Sequence, residues 1–423
     1  MHIIDRARAF VQSLEELITR SAWQWRRCPH CGSTHTWRWS TYSRHPWFLE
    51  GRQVVEVQRH FCLECRRTYS EQSAYLVPGS WYARGVHRYA VDQWLHGRSS
   101  LRRAAEQTRS LLGKQERYLQ WRPWAPAPPV EALCHLSAST VHRWLDGAGR
   151  VAQRGVEGQL AGVVSTEVAG TDGLWARLRG GAQRVVLAVV DSVTGVIWPP
   201  AVVDSEDNER AWRRMWERAA QAGLMLSRMR AVTSDGNAVL IAHLKRALSW
   251  VQLQRCVWHV WRTLGGQLSA SLAACGLEGE AVRDARREVV ALLHGVVDAT
   301  SYEQAEAALE KLRTHPVGQP LARGLNQQLD RLLVYQMRYC QGISRVGPEW
   351  MWRDLRLRVS RGRNHGSEQR LERAALVWAV YHNFTPAQWR SERKRRYRYP
   401  GRSPLEVAGA SLERVSYLDA LEV

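Results

Sequence analysis

The sequence predicts an α/β fold with a mixed β-sheet and a helical insertion, preceded by a small cysteine-containing ribbon and a helical region. Three observations support this prediction. Two Cys-x-x-Cys motifs lie near the N-terminus, and a helical pattern runs from Trp81 to Gly149. After Val163 the pattern changes to three apolar strands, followed by alternating helices and strands.

These patterns divide the 423 residues into segments. The ribbon takes residues 1–78 and the helical region residues 79–150. The α/β core takes residues 151–264 and 346–423, and a stretch with helical spacing, residues 265–345, is inserted between its two parts. A chain of this length is long enough for two or three domains with a sizeable core.

The charge balance predicts a polyanionic partner. Sixty basic residues oppose forty acidic ones, which gives a net charge of +20. No apolar run approaches the ~20 residues that span a bilayer, and charges run throughout the first twenty residues, so we expect neither a membrane partner nor a signal peptide. A cytoplasmic protein associated with the nucleoid is the expectation.

The N-terminal cysteines predict a structural zinc site. Cys28 and Cys31 form one Cys-x-x-Cys knuckle, and Cys62 and Cys65 form a second one thirty residues later. Four thiolates from two tight turns complete a tetrahedral Zn²⁺ site with no open position for chemistry. Arginines and tryptophans interleave in this ribbon, a pattern typical of nucleic-acid binding, but we expect most of these tryptophans to form the core of a small domain.

The next segment predicts a helix-turn-helix. Val86–His96 reads as one helix, Gly97 as a turn and the following residues as a second helix. The third helix starts near Leu136, with Ser137 or Ser139 as its cap, and its first turns present the candidate base-contacting residues Thr140, His142 and Arg143. A proline-rich link, Arg122–Pro129, makes a plain helical linker the alternative.

Two aspartates are placed where strands of the predicted core end. Asp172 follows the strand Val168–Thr171, and Asp235 follows the strand Arg230–Ser234. Carboxylates at the ends of adjacent strands converge on one rim of a sheet, where they can share divalent metal ions. Glu368, in the first turn of the last long helix, is the candidate third carboxylate. Mg²⁺, or Mn²⁺ in its place, is the ion expected at an all-oxygen site.

Asp-Gly pairs are first of all turn signals, and Asp191 and Asp204 fit that simpler interpretation. The segment Val232–Leu264 is more specific. A strand ending in Asp-Gly is followed by a helix, a short strand and Cys256-Val-Trp-His259. This order resembles the second-aspartate region of DDE transposases of the Mutator-like group and their bacterial insertion-sequence relatives. The resemblance extends over about residues 163–409.

The resemblance implies an RNase H-like core and a two-metal mechanism with Asp172, Asp235 and Glu368 as catalytic residues. Such an enzyme hydrolyses the phosphodiester at transposon ends and joins the freed 3′-OH to target DNA. Its expected partners are the terminal inverted repeats, the target DNA and further copies of the chain in a dimer or larger synaptic assembly. Basic residues on both sides of Glu368 are expected to hold DNA: Arg361, Arg363, Arg395 and Arg396.

Several alternatives stay open. Arg363 stands where the family often has threonine, and Glu372, one turn beyond Glu368, could face the same way. Cys256 and His259 share one helix face, and we expect a structural role for them. The main alternative function is a non-catalytic DNA-binding regulator derived from a transposase, and a second is a nuclease or integrase of the same fold. Retention of all three acids argues against the regulator.

Overall fold

The computed structural model describes residues 27–71, 74–120, 135–160, 163–359, 365–386, 401–412 and 415–422. These residues form two compact units, one ending at Leu145 and the other running from Asp146 to Glu422. The boundary lies within a single helix, Ala138–Leu160. The protein is a mixed α/β protein in which helices hold about as many residues as all other conformations together.

The first unit begins with a small antiparallel sheet. Its strands are β1 (Thr36–Arg44), β4 (Val55–Cys62) and β5 (Thr68–Ser70), with β4 in the centre. Two short strands, β2 (Trp47–Phe48) and β3 (Gly51–Arg52), form a separate hairpin between them. The ribbon predicted between the two cysteine pairs is therefore present.

Among its described residues, the first unit also contains the helices α1 (Arg84–Leu95), α2 (Leu101–Gln120) and the first turns of α3 (Ala138–Leu160). Gly97 makes the turn after α1, where an added Cβ would lie 2.7 Å from the carbonyl oxygen of Gln93. Trp144 of α3 stacks on His87 of α1, with ring centroids 3.7 Å apart. The helix order matches the prediction, whereas the proline-rich link lies outside the described residues.

The second unit contains a mixed five-stranded sheet. In chain order its strands are β6 (Val168–Arg177), β7 (Gln183–Asp191), β8 (Ala201–Val203), β9 (Ala231–Ser234) and β10 (Gln252–Arg255). Their spatial order is β10-β9-β6-β7-β8. The first three form an antiparallel meander, and β9 and β10 run parallel to β6. The predicted meander followed by alternating helices and strands is confirmed.

Helices cover both faces of this sheet. On one face, α4 (Glu209–Gln221) brings Met215 Sδ to 3.4 Å from Thr171 Oγ1 of β6. Side chains alternate between faces along a strand, so Gly170 and Asp172 belong to the other face. There Pro348 lies against Gly170, directly before α11 (Glu349–Val359), which packs on β6. Asp172 is thus on the α11 face.

After the meander, α4 connects β8 to β9 and one further helix connects β9 to β10. Between β9 and β10 runs α5 (Ala238–Ala247), which packs on α4. Asn237 caps α5, because its side-chain oxygen accepts from the backbone N–H groups of Val239 and Leu240. This cap fixes the chain immediately after Asp235.

Strand β6 is longer than predicted, and this corrects the position of Asp172. We expected the strand to end at Thr171, with Asp172 in a turn, but pairing with β7 continues to Arg177. Asp172 therefore lies within the strand, opposite Ala188. The hairpin turn falls instead at Gly180 and Gly181, where Gly181 has a φ of 89°.

The inserted segment is helical, as predicted. It consists of α6 (Val257–Ala274), α7 (Gly279–Val297), α8 (Tyr302–Thr314), α9 (Gln319–Asn326) and α10 (Leu329–Leu332), followed by short 3₁₀ turns up to Cys340. Buried aliphatic residues of these helices form a core of their own. Helix α6 passes without interruption through Gly265 and Gly266, where we expected a new segment to begin.

The chain returns to the sheet through α11 and α12 (Glu368–Phe384), which packs on β7 and β8. Asn383 of α12 accepts from the backbone N–H of Ile197 and donates to its carbonyl. Two short helices, α13 (Pro404–Val407) and α14 (Tyr417–Ala420), pack on α12. Within the described ranges, no helix combines the length and apolar character needed to cross a membrane.

Candidate functional site

Asp172 and Asp235 are brought to the same level of the sheet. The parallel register of β6 and β9 pairs Gly170 with Thr233, so Asp172 and Asp235 lie two residues further along both chains. Neighbouring strands are ~4.8 Å apart. The two predicted carboxylates are therefore neighbours at the point where β9 ends.

The surroundings of Asp172 disfavour the ionised form of its carboxyl group. Burial raises its pKa to about 7, and the negative charges of Glu349 and Asp235 add to this effect. The backbone N–H of Gly173 and the nearby His259 act in the opposite direction. Clustered carboxylates that resist ionisation are stabilised when a divalent cation joins them, because the cation compensates their mutual repulsion.

Glu349 is the carboxylate that the sequence did not point out. It begins α11, and its Oε1 atom lies 2.9 Å from Nδ1 of His259 and 3.1 Å from Sγ of Cys256. Burial acts to lower the pKa of His259, but Cys256 and Glu349 outweigh it and raise that pKa to about 10. The signal that could have revealed Glu349 is Gly347-Pro348-Glu349, a typical helix start with an acidic first turn.

A fourth carboxylate approaches from the opposite face of the sheet. The Oε1 atom of Glu206 accepts a hydrogen bond of 3.3 Å from the indole of Trp175. An added Cβ at Gly173 would lie 2.7 Å from Glu206 Oε2, so glycine leaves the space that this carboxylate occupies. Burial raises the pKa of Glu206, and the charge of Asp235 raises it further.

A guanidinium group lies beside Asp235. Gly236 has a φ of 85°, and an added Cβ there would fall 1.2 Å from the Nη1 atom of Arg255. Burial lowers the pKa of Arg255, whereas the charge of Asp235 raises it. The glycine of this Asp-Gly pair therefore makes the turn after β9 and also leaves room for Arg255.

Glu368 lies on the same face of the sheet as Asp172 but in another part of it. Its Oε1 atom is 2.5 Å from Nε of Arg184, which also contacts Asp204 at 3.2 Å. Arg184 pairs with Ala176, four residues along β6 from Asp172. Ser367 caps this helix by accepting from the backbone N–H of Arg370, so Glu368 is the first helical residue, as expected.

Glu372, the alternative third acid, has a structural environment. It is buried and accepts 2.8 Å and 3.1 Å hydrogen bonds from Arg214 and from the backbone N–H of Val202. Arg218 forms a second ion pair with it. Both carboxylate oxygens are engaged, and the contacts tie α12 to α4 and to the edge strand β8.

The four N-terminal cysteines lie close enough together to hold a metal ion such as zinc. Sγ atoms are 3.6 Å apart in the pairs Cys28–Cys65 and Cys31–Cys62. Burial opposes ionisation of Cys28, but the backbone N–H groups of His30 and Cys31 lower its pKa to about 7. Gly32 has a φ of 75° in the first knuckle, as the predicted tight turn requires.

Trp37 and Trp39 lie on the surface, which corrects our expectation for these two residues, whereas Trp47 of β2 is buried. Trp37 and Trp39 of β1 are 54% and 56% exposed, and their rings stack 6.5 Å apart. The ribbon instead uses the cysteines and Tyr69 as its buried centre. A metal cluster can replace an aromatic core in so small a sheet. Exposed arginines of the ribbon include Arg38, Arg66 and Arg67.

The predicted base-contacting residues lie in the first two turns of α3. Ser137 accepts from the backbone N–H of Thr140 at 3.2 Å, which identifies it as the cap. Arg143 is exposed, whereas Thr140 and His142 are partly buried. The other predicted DNA contacts lie outside the described residues: Arg361, Arg363, Arg395 and Arg396.

No protein-family model matches the chain, and no curated protein matches it. Because these comparisons found no match, the function has to be inferred from the geometry of the site.

Proposed function

We propose that this chain is a DNA transposase of the DDE type, which uses a divalent metal site built on Asp172 and Asp235. The proposal rests on the register of two adjacent parallel strands, which places these two carboxylates side by side. The pKa of Asp172 is raised to about 7. Neighbouring carboxylates on adjacent strands offer the oxygen ligands that Mg²⁺ and Mn²⁺ prefer.

The sheet supports an RNase H-like core. An antiparallel meander followed by two strands parallel to its first strand, in the order β10-β9-β6-β7-β8, is the arrangement that the resemblance implies. The helical insertion lies between β10 and α11, after the second aspartate and before Glu368. This is where such enzymes carry an insertion.

Asp172 and Asp235 would hold the ions, which supply charge that activates a water or a 3′-OH and stabilises the leaving oxygen. Glu368 is the proposed third ligand and stands on the Asp172 face of the sheet. Its ion pair with Arg184 orients the carboxylate at the start of α12.

The first unit supports binding to DNA. The exposed Trp37 and Trp39 and the exposed arginines of the ribbon are typical of a nucleic-acid surface, and the whole chain has a net charge of +20. Structural Zn²⁺ at the four cysteines and base contacts from Thr140, His142 and Arg143 of a helix-turn-helix complete this part of the proposal. Paired transposon ends require at least two copies of the chain.

The experiment is metal-dependent cleavage of a labelled duplex that carries the terminal repeat flanking the gene. Wild type with Mg²⁺ or Mn²⁺ is expected to cut at the repeat end, and Asp235→Asn to bind the duplex without cutting it. Asp284→Asn, an exposed change on α7, is the matched control and should cut normally. Binding without cleavage by wild type would favour the DNA-binding regulator instead.

A further inference from the structure

A second cluster of metal-ligand side chains lies at the junction between the core and the helical insertion. Cys256 is the residue before α6, His259 lies in the first turn of α6, and Glu349 begins α11. Cys256 and Glu349 are 93 residues apart in the sequence. The cluster therefore joins the point where the chain leaves the sheet to the point where it returns.

The three side chains offer one donor atom each, and these atoms lie within 4.8 Å of one another. A thiolate, an imidazole and a carboxylate are the donors that Zn²⁺ accepts, at about 2.3, 2.0 and 2.1 Å. Three donors around one such ion would stand some 3–4 Å apart. The observed 2.9 Å and 3.1 Å separations from Glu349 Oε1 need only a slight opening.

Two atoms of this cluster lack hydrogen-bond partners. His259 Nδ1 is close to Glu349 Oε1 but is not aligned for a hydrogen bond with it, and Glu349 Oε2 has no partner. Both atoms are buried, and a buried polar atom without a partner costs about 1–3 kcal/mol. A bound cation would coordinate Glu349 Oε2 and would displace a proton from the His259 imidazolium.

The sulfur of Cys256 accepts a hydrogen bond from a backbone N–H group. Its side chain is fully buried, and the backbone N–H of Gly347 donates to its sulfur at 3.1 Å. The ribbon shows the same feature, because the N–H of His30 donates to the sulfur of Cys28 at 3.4 Å. Backbone N–H groups directed at sulfur stabilise the thiolate that a metal requires.

We propose that Cys256, His259 and Glu349 form a second zinc site, separate from the ribbon and from the carboxylates that would hold Mg²⁺. A soft thiolate and an imidazole select Zn²⁺ over Mg²⁺. Three protein ligands leave a fourth position for water. Asp172 interacts electrostatically with both Glu349 and His259, so the ion also adds positive charge beside the first catalytic aspartate. The zinc site itself does not depend on the proposed transposase activity.

Zinc content of the purified full chain tests the site directly. Wild type, loaded with Zn²⁺ and dialysed, is expected to retain two zinc ions per chain. Cys256→Ser and His259→Ala should each retain one, and Cys62→Ser, which removes the ribbon site, should also retain one. Cys275→Ser, an exposed cysteine on the same helical segment, is the matched control and should retain two. One zinc in wild type, or two in Cys256→Ser, would overturn the proposal.

X-ray absorption at the zinc edge gives an answer that needs no variant. A ribbon site alone has four sulfur ligands, whereas the average over the two sites is about 2.5 sulfurs and 1.5 nitrogen or oxygen ligands per zinc. A mixed first shell in the zinc-loaded wild type supports the second site even if the Cys256 variant fails to fold. A shell of sulfur alone contradicts it.

Discussion

Asp172, within strand β6, lies level with Asp235, the residue that follows the parallel strand β9. The register brings together two carboxylates that are 63 residues apart in the sequence, and burial and neighbouring negative charge raise the pKa of Asp172. The electrostatic repulsion between the two carboxylates, which a divalent cation would relieve, is the basis of the proposed metal site.

Removal of the Asp172 charge is expected to stabilise the protein when Mg²⁺ is withheld. The folded state holds the Asp172 proton more tightly than the unfolded state does, because its pKa is raised from 3.8 to about 7. The cost of ionisation therefore accumulates as pH rises from about 4 to 7 and stays constant above that. Asp172→Asn avoids this cost, which is at most about 4 kcal/mol.

Denaturant unfolding of wild type and Asp172→Asn at pH 5, 6, 7 and 8 measures the effect. The advantage of the variant should grow between pH 5 and 7 and then level off. Asp284→Asn, at an exposed site, should track wild type throughout. An advantage for Asp172→Asn that does not change with pH would show that the carboxyl is not held protonated by its surroundings.

Substitution of Glu368 is expected to reduce cleavage with little effect on stability, whereas substitution of Glu372 is expected to reduce stability. Glu368→Gln removes a carboxylate that is 42% exposed, so the free energy of unfolding should fall by less than about 1 kcal/mol. Cleavage should fall at least ~100-fold, because a proposed metal ligand is lost.

Glu372→Gln, in contrast, should clearly lower the free energy of unfolding. It leaves Arg214 and Arg218 without their buried partner, at a cost of roughly 3 kcal/mol. Unfolding and cleavage assays on both variants check this pair. Normal cleavage by Glu368→Gln would exclude it as the third acid.

Trp37 and Trp39 of the ribbon are expected to contribute to DNA binding without contributing to stability. Trp37→Ala and Trp39→Ala change side chains that are more than half exposed, so unfolding should shift by less than about 0.5 kcal/mol. A stacked base contributes about 1–3 kcal/mol, so each variant should bind the duplex at least several-fold more weakly. Val54→Ala, also exposed on the ribbon, is the control for fluorescence anisotropy titrations. Equal affinities in all four proteins would remove the ribbon from the DNA-binding surface.

Sequence periodicity predicted the elements of this fold well, because most are amphipathic or strongly apolar. The meander β6–β8, the strand before Asp235 and the helix after Ser367 were all anticipated. Local signals failed where tertiary pairing decided the outcome. Asp172-Gly173 looks like a turn, but pairing with β7 keeps β6 extended through it.

The candidate site was only partly predictable. Asp172 and Asp235 were singled out because each follows an apolar segment and precedes a glycine, although only Asp235 lies at the end of its strand. Glu349 could not be identified, because it lies 93 residues after Cys256. Its contact with Cys256 and His259 depends on how the intervening helical insertion folds. The exposed Trp37 and Trp39 were also missed, because composition does not show which face of a small sheet the cysteines occupy.

The most direct test of the central claim is Mn²⁺ binding, measured by electron paramagnetic resonance on the zinc-loaded protein. Zinc loading fills the cysteine sites, so Mn²⁺ reports on the carboxylates. Wild type and Asp284→Asn are expected to bind Mn²⁺ equally, and Asp172→Asn and Asp235→Asn to bind it at least tenfold more weakly. Equal Mn²⁺ affinity in all four proteins would contradict a metal site shared by Asp172 and Asp235.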